Sequence, residues 1–390
     1  MGLMSTAGQP AVLAPGREGG STASRENNFN FLRLLLASSV IVSHSGEFIA
    51  GGTRDNDPLL RIFGTGYTLG DLAVDAFFII SGFLITKSWM SQPRAGAFLR
   101  KRVLRIYPGF IVAAILSEFV FGPLGGNPDY WAIFSPLVFL RRLVTISVPG
   151  EPNAFPELTS HAVNWAVWTI RYEFLCYLGV VILGSLGLFR HRRVILILWG
   201  LVTAYHVVQC MSGLTRCPGF TGPVSELLGG CIRANSMFLA GTCYYLYADR
   251  VRYSKLGVVA ALCVLIPCMF QYSVGKVAFP TCGGYLLLAA AFAPSRILHK
   301  FGAGADISYG VYLYGWPIQQ TIVNHFRQID QGSLMVASLA LSYVAGWLSW
   351  HLVEHRFLRL KPRPSPEAAR VAEEPLILAE AQLEGNGAVA

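Results

Sequence analysis

The chain has 390 residues, of which 53% are hydrophobic and only 14% are charged, and its formal net charge is +9. Soluble domains carry about 25% charged residues, so this composition excludes a soluble globular protein and predicts an all-α polytopic membrane bundle. The positive charge does not mark a nucleic-acid binder, because the basic residues lie mostly in short loops between apolar stretches, where they orient a chain in a bilayer.

Residues 1–28 are rich in Gly, Ala and Ser, with no apolar stretch before Phe29. They are expected to form a disordered cytoplasmic tail, and the first membrane helix is expected to double as the targeting signal. A membrane domain over residues 29–360 follows. Its ten predicted spans lie at about 29–49, 70–90, 105–123, 164–187, 193–211, 228–247, 255–272, 276–293, 307–326 and 333–354. Residues 361–390 are polar and Ala/Glu-rich, and are expected to form a second disordered cytoplasmic tail.

Alternate loops carry the basic residues. Arg94, Arg100, Lys101, Arg102 and Arg105 follow span two, and Arg190, Arg192 and Arg193 follow span four. Arg250, Arg252 and Lys255 follow span six, Arg296 and Lys300 follow span eight, and Arg356, Arg359, Lys361 and Arg363 follow span ten. The positive-inside rule then puts both termini in the cytoplasm, as an even number of spans requires.

Span one holds Arg33 and His44 with ten residues between them (FNFLRLLLASSVIVSHSGEFIA). Eleven steps at 3.6 residues per turn come within about 20° of three full turns, so both side chains share one helix face, roughly 16 Å apart. Ionisable groups inside a span are expensive and functional by default. The alternative is a snorkelling Arg and a packed, hydrogen-bonded His. Span two (GDLAVDAFFIISGFLITKSW) places Asp71 and Asp75 on one face, with Asp75 a turn deeper and in need of a partner. His44 is a candidate partner across the hairpin of spans one and two; plain anchoring of that hairpin is the other reading.

FLRKRVLRIYPGF opens span three, with Arg102 and Arg105 on one face. Such a pair can grip phosphate or merely set topology. The outside segment from about 124 to 163 reads as a lid or as an interfacial cover, with Tyr130 and Trp131 suited to the headgroup region. In span four, Glu173 is a candidate to grip a hydroxylated acceptor on the outer side, or a helix-to-helix hydrogen bond. Pro317 in span nine should free a backbone carbonyl at membrane depth. Glu354 closes span ten at the inner face. The eight Cys show no CxxC and no Cys/His zinc spacing, so no metal is expected. Cys210, Cys217 and Cys231 flank one outside loop and Cys268 and Cys282 another, leaving a disulfide open in either place.

FLRLLLASSVIVSHS, GDLAVDAFFIISGFLI, FLRKRVLRIYP, WTIRYEFLCYL, ISYGVYLYGWPIQQ and HLVEHRF, in that order, resemble the acyltransferase-3 family of integral membrane O-acyltransferases. The family includes polysaccharide, O-antigen and nodulation-factor acetylases. The resemblance covers about residues 29 to 360. It implies transfer of an acyl group, acetyl by family habit, from cytoplasmic acyl-CoA to a saccharide or lipid-linked glycan hydroxyl. It further implies that Arg33 and His44 are functional, that Arg102 and Arg105 bind acyl-CoA, and that Glu173 is the acidic residue of the fourth motif. Asp75 joins them as a candidate catalytic residue, and Arg33 as a candidate for the donor channel. Two departures stand out: Gly315 replaces a His found in many members, and His355 and Arg356 follow Glu354 where many have Pro. The expected location is the bacterial inner membrane; a homodimer is left open. The rival readings are a transporter or flippase for a lipid-linked glycan, acylation of a small-molecule glycoside, and, last, an interaction scaffold.

Overall fold

In the computed structural model, residues 27–151, 153–212, 217, 221–295, 298 and 305–361 are described. Nearly all of both expected tails, and Arg296, Lys300 and Arg363, lie outside these residues. Ten principal helices run through the described chain: α1 (Phe29–Ile49), α2 (Leu69–Ser91), α3 (Ala95–Leu116), α4 (Trp168–Ser185), α5 (Arg192–Met211), α6 (Gly222–Leu246), α7 (Lys255–Cys268), α8 (Tyr272–Phe292), α9 (Ser308–His325) and α10 (Gln331–Ser349). No strand occurs among the described residues.

Each expected span falls on one of these helices. Seven are long and apolar enough to cross a membrane, some of them counted with the turns that extend them; α6, α7 and α9 are the exceptions. Lys255–Cys268 is simply short, at 14 residues, whereas α6 and α9 carry the polar groups described below. The outward faces of α5 and α10 leave Ile197, Leu201, Val336 and Val344 exposed, as a lipid-facing surface requires.

Helix α2 is the centre of the bundle, and most of it is buried. Lipid supplies little hydrophobic drive between helices, so close backbone approach has to supply the packing. Gly82 and Gly241 do this reciprocally. A Cβ on Gly82 would collide with the Phe238 carbonyl on α6, and one on Gly241 with the Ile79 carbonyl on α2. The start of α2 is set by a capping box, in which Thr68 Oγ1 accepts from the Asp71 backbone N–H at 3.0 Å and Asp71 Oδ2 caps in return. Asp57, only 1% exposed, caps a short helix at Pro58–Phe63, accepts from Leu69 N and takes the Ser43 hydroxyl of α1.

Pro317 lies inside α9 without ending it. The carbonyl that proline leaves unpaired four residues earlier belongs to Leu313. Asn164, fully buried, donates its side-chain amide to that oxygen at 2.9 Å. Asn164→Leu should therefore lower stability by about 1–3 kcal/mol, the cost of one unsatisfied buried acceptor. Thermal unfolding of the detergent-solubilised protein would show it; an unchanged melting temperature would mean that the carbonyl finds another donor.

The segment 124–163 is an ordered cover rather than an open loop. It carries two short helices, Tyr130–Ile133 and Pro136–Thr145. Trp131 is half-exposed, as an interfacial residue should be, but Tyr130 is buried and donates to the Glu118 carbonyl oxygen at 2.8 Å. The cover is pinned to α9, where Trp316 Nε1 donates to Ala162 O at 3.3 Å and Gln320 donates to Ser160 O. All eight cysteines are free, so neither suggested disulfide forms.

Candidate active site

A cavity of about 300 Å³ opens at the end of the bundle that carries Arg102 and Arg105, here termed the basic end. Helix α1 contributes Arg33, α2 contributes Phe77 and Ser81, and α3 contributes Arg102 and Arg105. Helix α4 adds Thr169, Glu173 and Tyr177; Asp306, Tyr309 and Tyr312 come from the start of α9, and Lys361 from beyond α10. Four predicted site residues, Arg33, Arg102, Arg105 and Glu173, thus meet in one place.

The two arginines of the α3 pair differ. Arg105 is neutralised, with Nη2 2.7 Å from Asp306 and Nη1 3.2 Å from Glu354, a carboxylate that is 1% exposed. Arg33 also pairs with Asp306, at 3.2 Å. Burial works to raise the Asp306 pKa, yet Arg105 and Arg33 beside it hold it below the usual carboxylate range. Arg102 has no carboxylate partner among the described residues. Its Nη2 reaches the Ser88 hydroxyl at 3.3 Å, its plane lies by the Phe98 and Tyr177 rings, and its Nε is buried without an acceptor. A half-buried guanidinium that lines a cavity with an unsatisfied Nε is suited to an anionic ligand. Glu354, doubtful from its sequence context, thus acquires a definite contact: it holds Arg105 and accepts the Ser349 hydroxyl at 3.0 Å.

Glu173 corrects an expectation. It lines this basic-end cavity instead of an outer acceptor site, accepting the Ser81 hydroxyl at 3.0 Å and the Tyr177 hydroxyl at 2.5 Å. It lies near the middle of α4, a depth reachable from either end, and the face it shares with Tyr177 one turn on turns toward α2 and α3.

His44 sits at the other end of the stripe. Arg33 pairs with Asp306 just before α9, and His44 packs edge-on against Trp316 of α9 at 4.7 Å, so α1 and α9 run side by side in the same direction. His44 does not line the cavity. One turn of α9, from Tyr312 in its wall to Trp316, separates the two. Gly315 lies on the face of α9 that meets α1, and a Cβ there would press on Ile41. That leaves no room for the His that many relatives of this motif carry.

The expected partnership between His44 and Asp75 does not form. His44 Nδ1 is 3.1 Å from Glu47 Oε2, its own i+3 neighbour, a spacing that puts two side chains on one helix face. The H-S-G-E spacing was the signal for it. Asp75 is fully buried on the opposite face of the hairpin, 2.7 Å from Lys276 of α8, 3.1 Å from Arg233 of α6 and 2.8 Å from the Tyr67 hydroxyl. Arg233 also binds Asp71 at 2.8 Å, and the Lys276 ammonium lies 3.9 Å from the Tyr67 ring centre. This network ties α2, α6 and α8 and leaves Asp75 away from both the cavity lining and His44. Lys276→Met should cost about 3–5 kcal/mol, because it strands buried negative charge, and adding Asp75→Asn should restore much of it. Thermal melts of the single and double variants check this; an additive loss in the double variant would contradict the pairing.

The sequence pattern of a family described as an acyltransferase domain matches residues 26–351. The chain belongs to the acyltransferase-3 family. This acyltransferase is 29% identical over 357 residues to an O-acetyl transferase of Shigella phage Sf6, covering 88% of this chain and 98% of that one. It is 29% identical to the exopolysaccharide production protein ExoZ of Rhizobium meliloti (strain 1021), over 76% of this chain and 92% of ExoZ. It is 25% identical to the acyltransferase MdmB of Streptomyces mycarofaciens, over 77% and 84%. No solved structure matches it. In this multi-pass membrane acyltransferase, the family segment FFIISGFLI now has a physical reading: Gly82 admits α6, and Ser81 binds Glu173 in the cavity.

Proposed function

We propose that this acyltransferase moves an acyl group, acetyl by preference, from cytoplasmic acyl-CoA to a hydroxyl of a cell-surface or lipid-linked saccharide. One observation carries the donor assignment: Arg102, whose Nε is buried without an acceptor and which has no carboxylate partner among the described residues, lines a cavity at the basic end. The basic residues after span two favour the cytoplasm for that end, and the bacterial inner membrane for the protein. The names of the Shigella phage and Rhizobium relatives support acetyl as the group and a saccharide as the acceptor.

In this reading the CoA phosphates lie by Arg102, with Arg33 and Arg105 adding positive field, and the thioester arm points along α9 toward His44. The hydrogen bond of His44 Nδ1 to Glu47 fixes the proton on Nδ1 and leaves Nε2 with its lone pair. Nε2 removes the acceptor hydroxyl proton as the oxygen attacks the thioester carbonyl. The C–S bond breaks, and the proton on Nε2 passes to the departing thiolate. Glu47 stabilises the imidazolium formed between those steps. Acylation of Nε2 itself before transfer uses the same atom and the same Glu47 contact.

Membranes containing the protein, fed labelled acetyl-CoA, should pass label to a saccharide fraction. A lipid-linked glycan transporter or flippase would move its glycan without label. Recovery of label in a small glycoside would replace the acceptor and keep the reaction.

A further inference from the structure

Four cations converge on the basic-end cavity: Arg33, Arg102, Arg105 and Lys361. The carboxylates do not match them. Asp306 serves Arg33 and Arg105, Glu354 serves Arg105, and Glu173 is taken by the Ser81 and Tyr177 hydroxyls. Lys361, like Arg102, has no carboxylate partner among the described residues. It follows the helical end at His355–Leu358 and lies beyond the family-matched segment, which stops at residue 351. An ammonium facing a cavity among three guanidiniums is opposed by them and favoured by an anion, and Asp306, already paired with Arg33 and Arg105, offsets this only in part.

We propose that Lys361 is a donor-binding residue that grips a phosphate of the ligand as a point charge beside Arg102. This rests on the acyl-CoA reading given above. The groups that face Lys361 set its charge. Burial first, then Arg105, Arg102 and Arg33, push its pKa down to about 7, against the opposing pull of Asp306. Near neutral pH the ligand-free site therefore holds the neutral amine far more often than an ordinary lysine does. An arriving phosphate favours the ammonium, so binding draws a proton from solvent onto Nζ. The sign follows: uptake is largest above pH 7, where the free amine prevails, and fades below it, where the proton is already in place.

The test is calorimetric binding of CoA to the full-length chain in zwitterionic nanodiscs at pH 8, in buffers of different ionisation enthalpy. Wild type should take up a substantial fraction of a proton, on the order of one half to one, more per CoA than Lys361→Arg, which is always charged. Lys361→Arg should keep its affinity within about threefold, and Lys361→Met should lose about tenfold, one charge-assisted contact. Equal uptake by wild type and Lys361→Arg overturns the proposal. If CoA fails to bind but inorganic pyrophosphate binds with the same Lys361-dependent uptake, the phosphate site stands and the acyl-CoA reading falls. No Lys361-dependent uptake with either probe overturns the site itself. A parallel arm adds phosphatidylglycerol to the nanodisc. Uptake on lipid addition that removes the CoA signal would give the site to a lipid headgroup and overturn the donor assignment.

Discussion

His44→Ala is expected to lower acyl transfer by about 10²–10⁴-fold, the usual worth of a positioned acid–base group, with CoA affinity unchanged. The separation follows from geometry. His44 contacts Trp316 and Glu47 and does not line the cavity that holds Arg33, Arg102 and Arg105. In the proposed mechanism, binding and chemistry fall to opposite ends of one stripe, about 16 Å apart along α1. Glu47→Gln should fall between wild type and His44→Ala, because it keeps the hydrogen bond but not the charge that stabilises an imidazolium. Transfer rates with labelled acetyl-CoA, set beside CoA titrations of the same variants, measure both halves. Near-normal transfer by His44→Ala would remove this residue from the chemistry.

Arg102→Ala and Arg105→Ala should fail in different ways, although the residues lie three apart on one helix face. Arg102 has a buried Nε without an acceptor and no carboxylate. Its loss removes a hydrogen-bonding charge from the ligand, worth about 1.5–3 kcal/mol, or about ten- to 150-fold in Kd. The melting temperature should stay close to wild type, since no carboxylate pair among the described residues is broken. Arg105 is held by Asp306 and Glu354. Its loss strands the buried Glu354 carboxylate and leaves Asp306 to Arg33 alone, and should cost about 3–5 kcal/mol of stability, partly regained by Glu354→Gln in the same chain. CoA affinity and thermal melts of both variants make the distinction. Wild-type affinity in Arg102→Ala would return that side chain to topology alone.

The parts of the fold set by local periodicity were legible in the sequence. Long apolar runs located the helices, and an eleven-residue spacing put Arg33 and His44 on one face, which α9 then covers at both ends. The parts set by which helix faces which were not. Nothing in span two says that the Asp75 face meets α6 and α8 instead of α1, so its partners Arg233 and Lys276 went unread inside Gly- and Pro-punctuated spans. Glu173 makes the helix-to-helix hydrogen bond of its second reading, to Ser81 of α2, while its expected place on the outer side fails because depth alone does not say from which end a mid-helix group is reached. Asn164 shows the opposite case. Pro317 announces an orphaned carbonyl, but only the folded chain says which side chain answers it.

In the proposed reaction the donor enters at the basic end and the acyl group leaves through His44 at the other. Sealed inside-out membrane vesicles test it most directly, with labelled acetyl-CoA supplied only outside and a saccharide acceptor enclosed in the lumen. The predicted result is label on the lumenal acceptor with wild type and none with His44→Ala. Label confined to acceptor on the acetyl-CoA side, or equal lumenal label with His44→Ala, would contradict it.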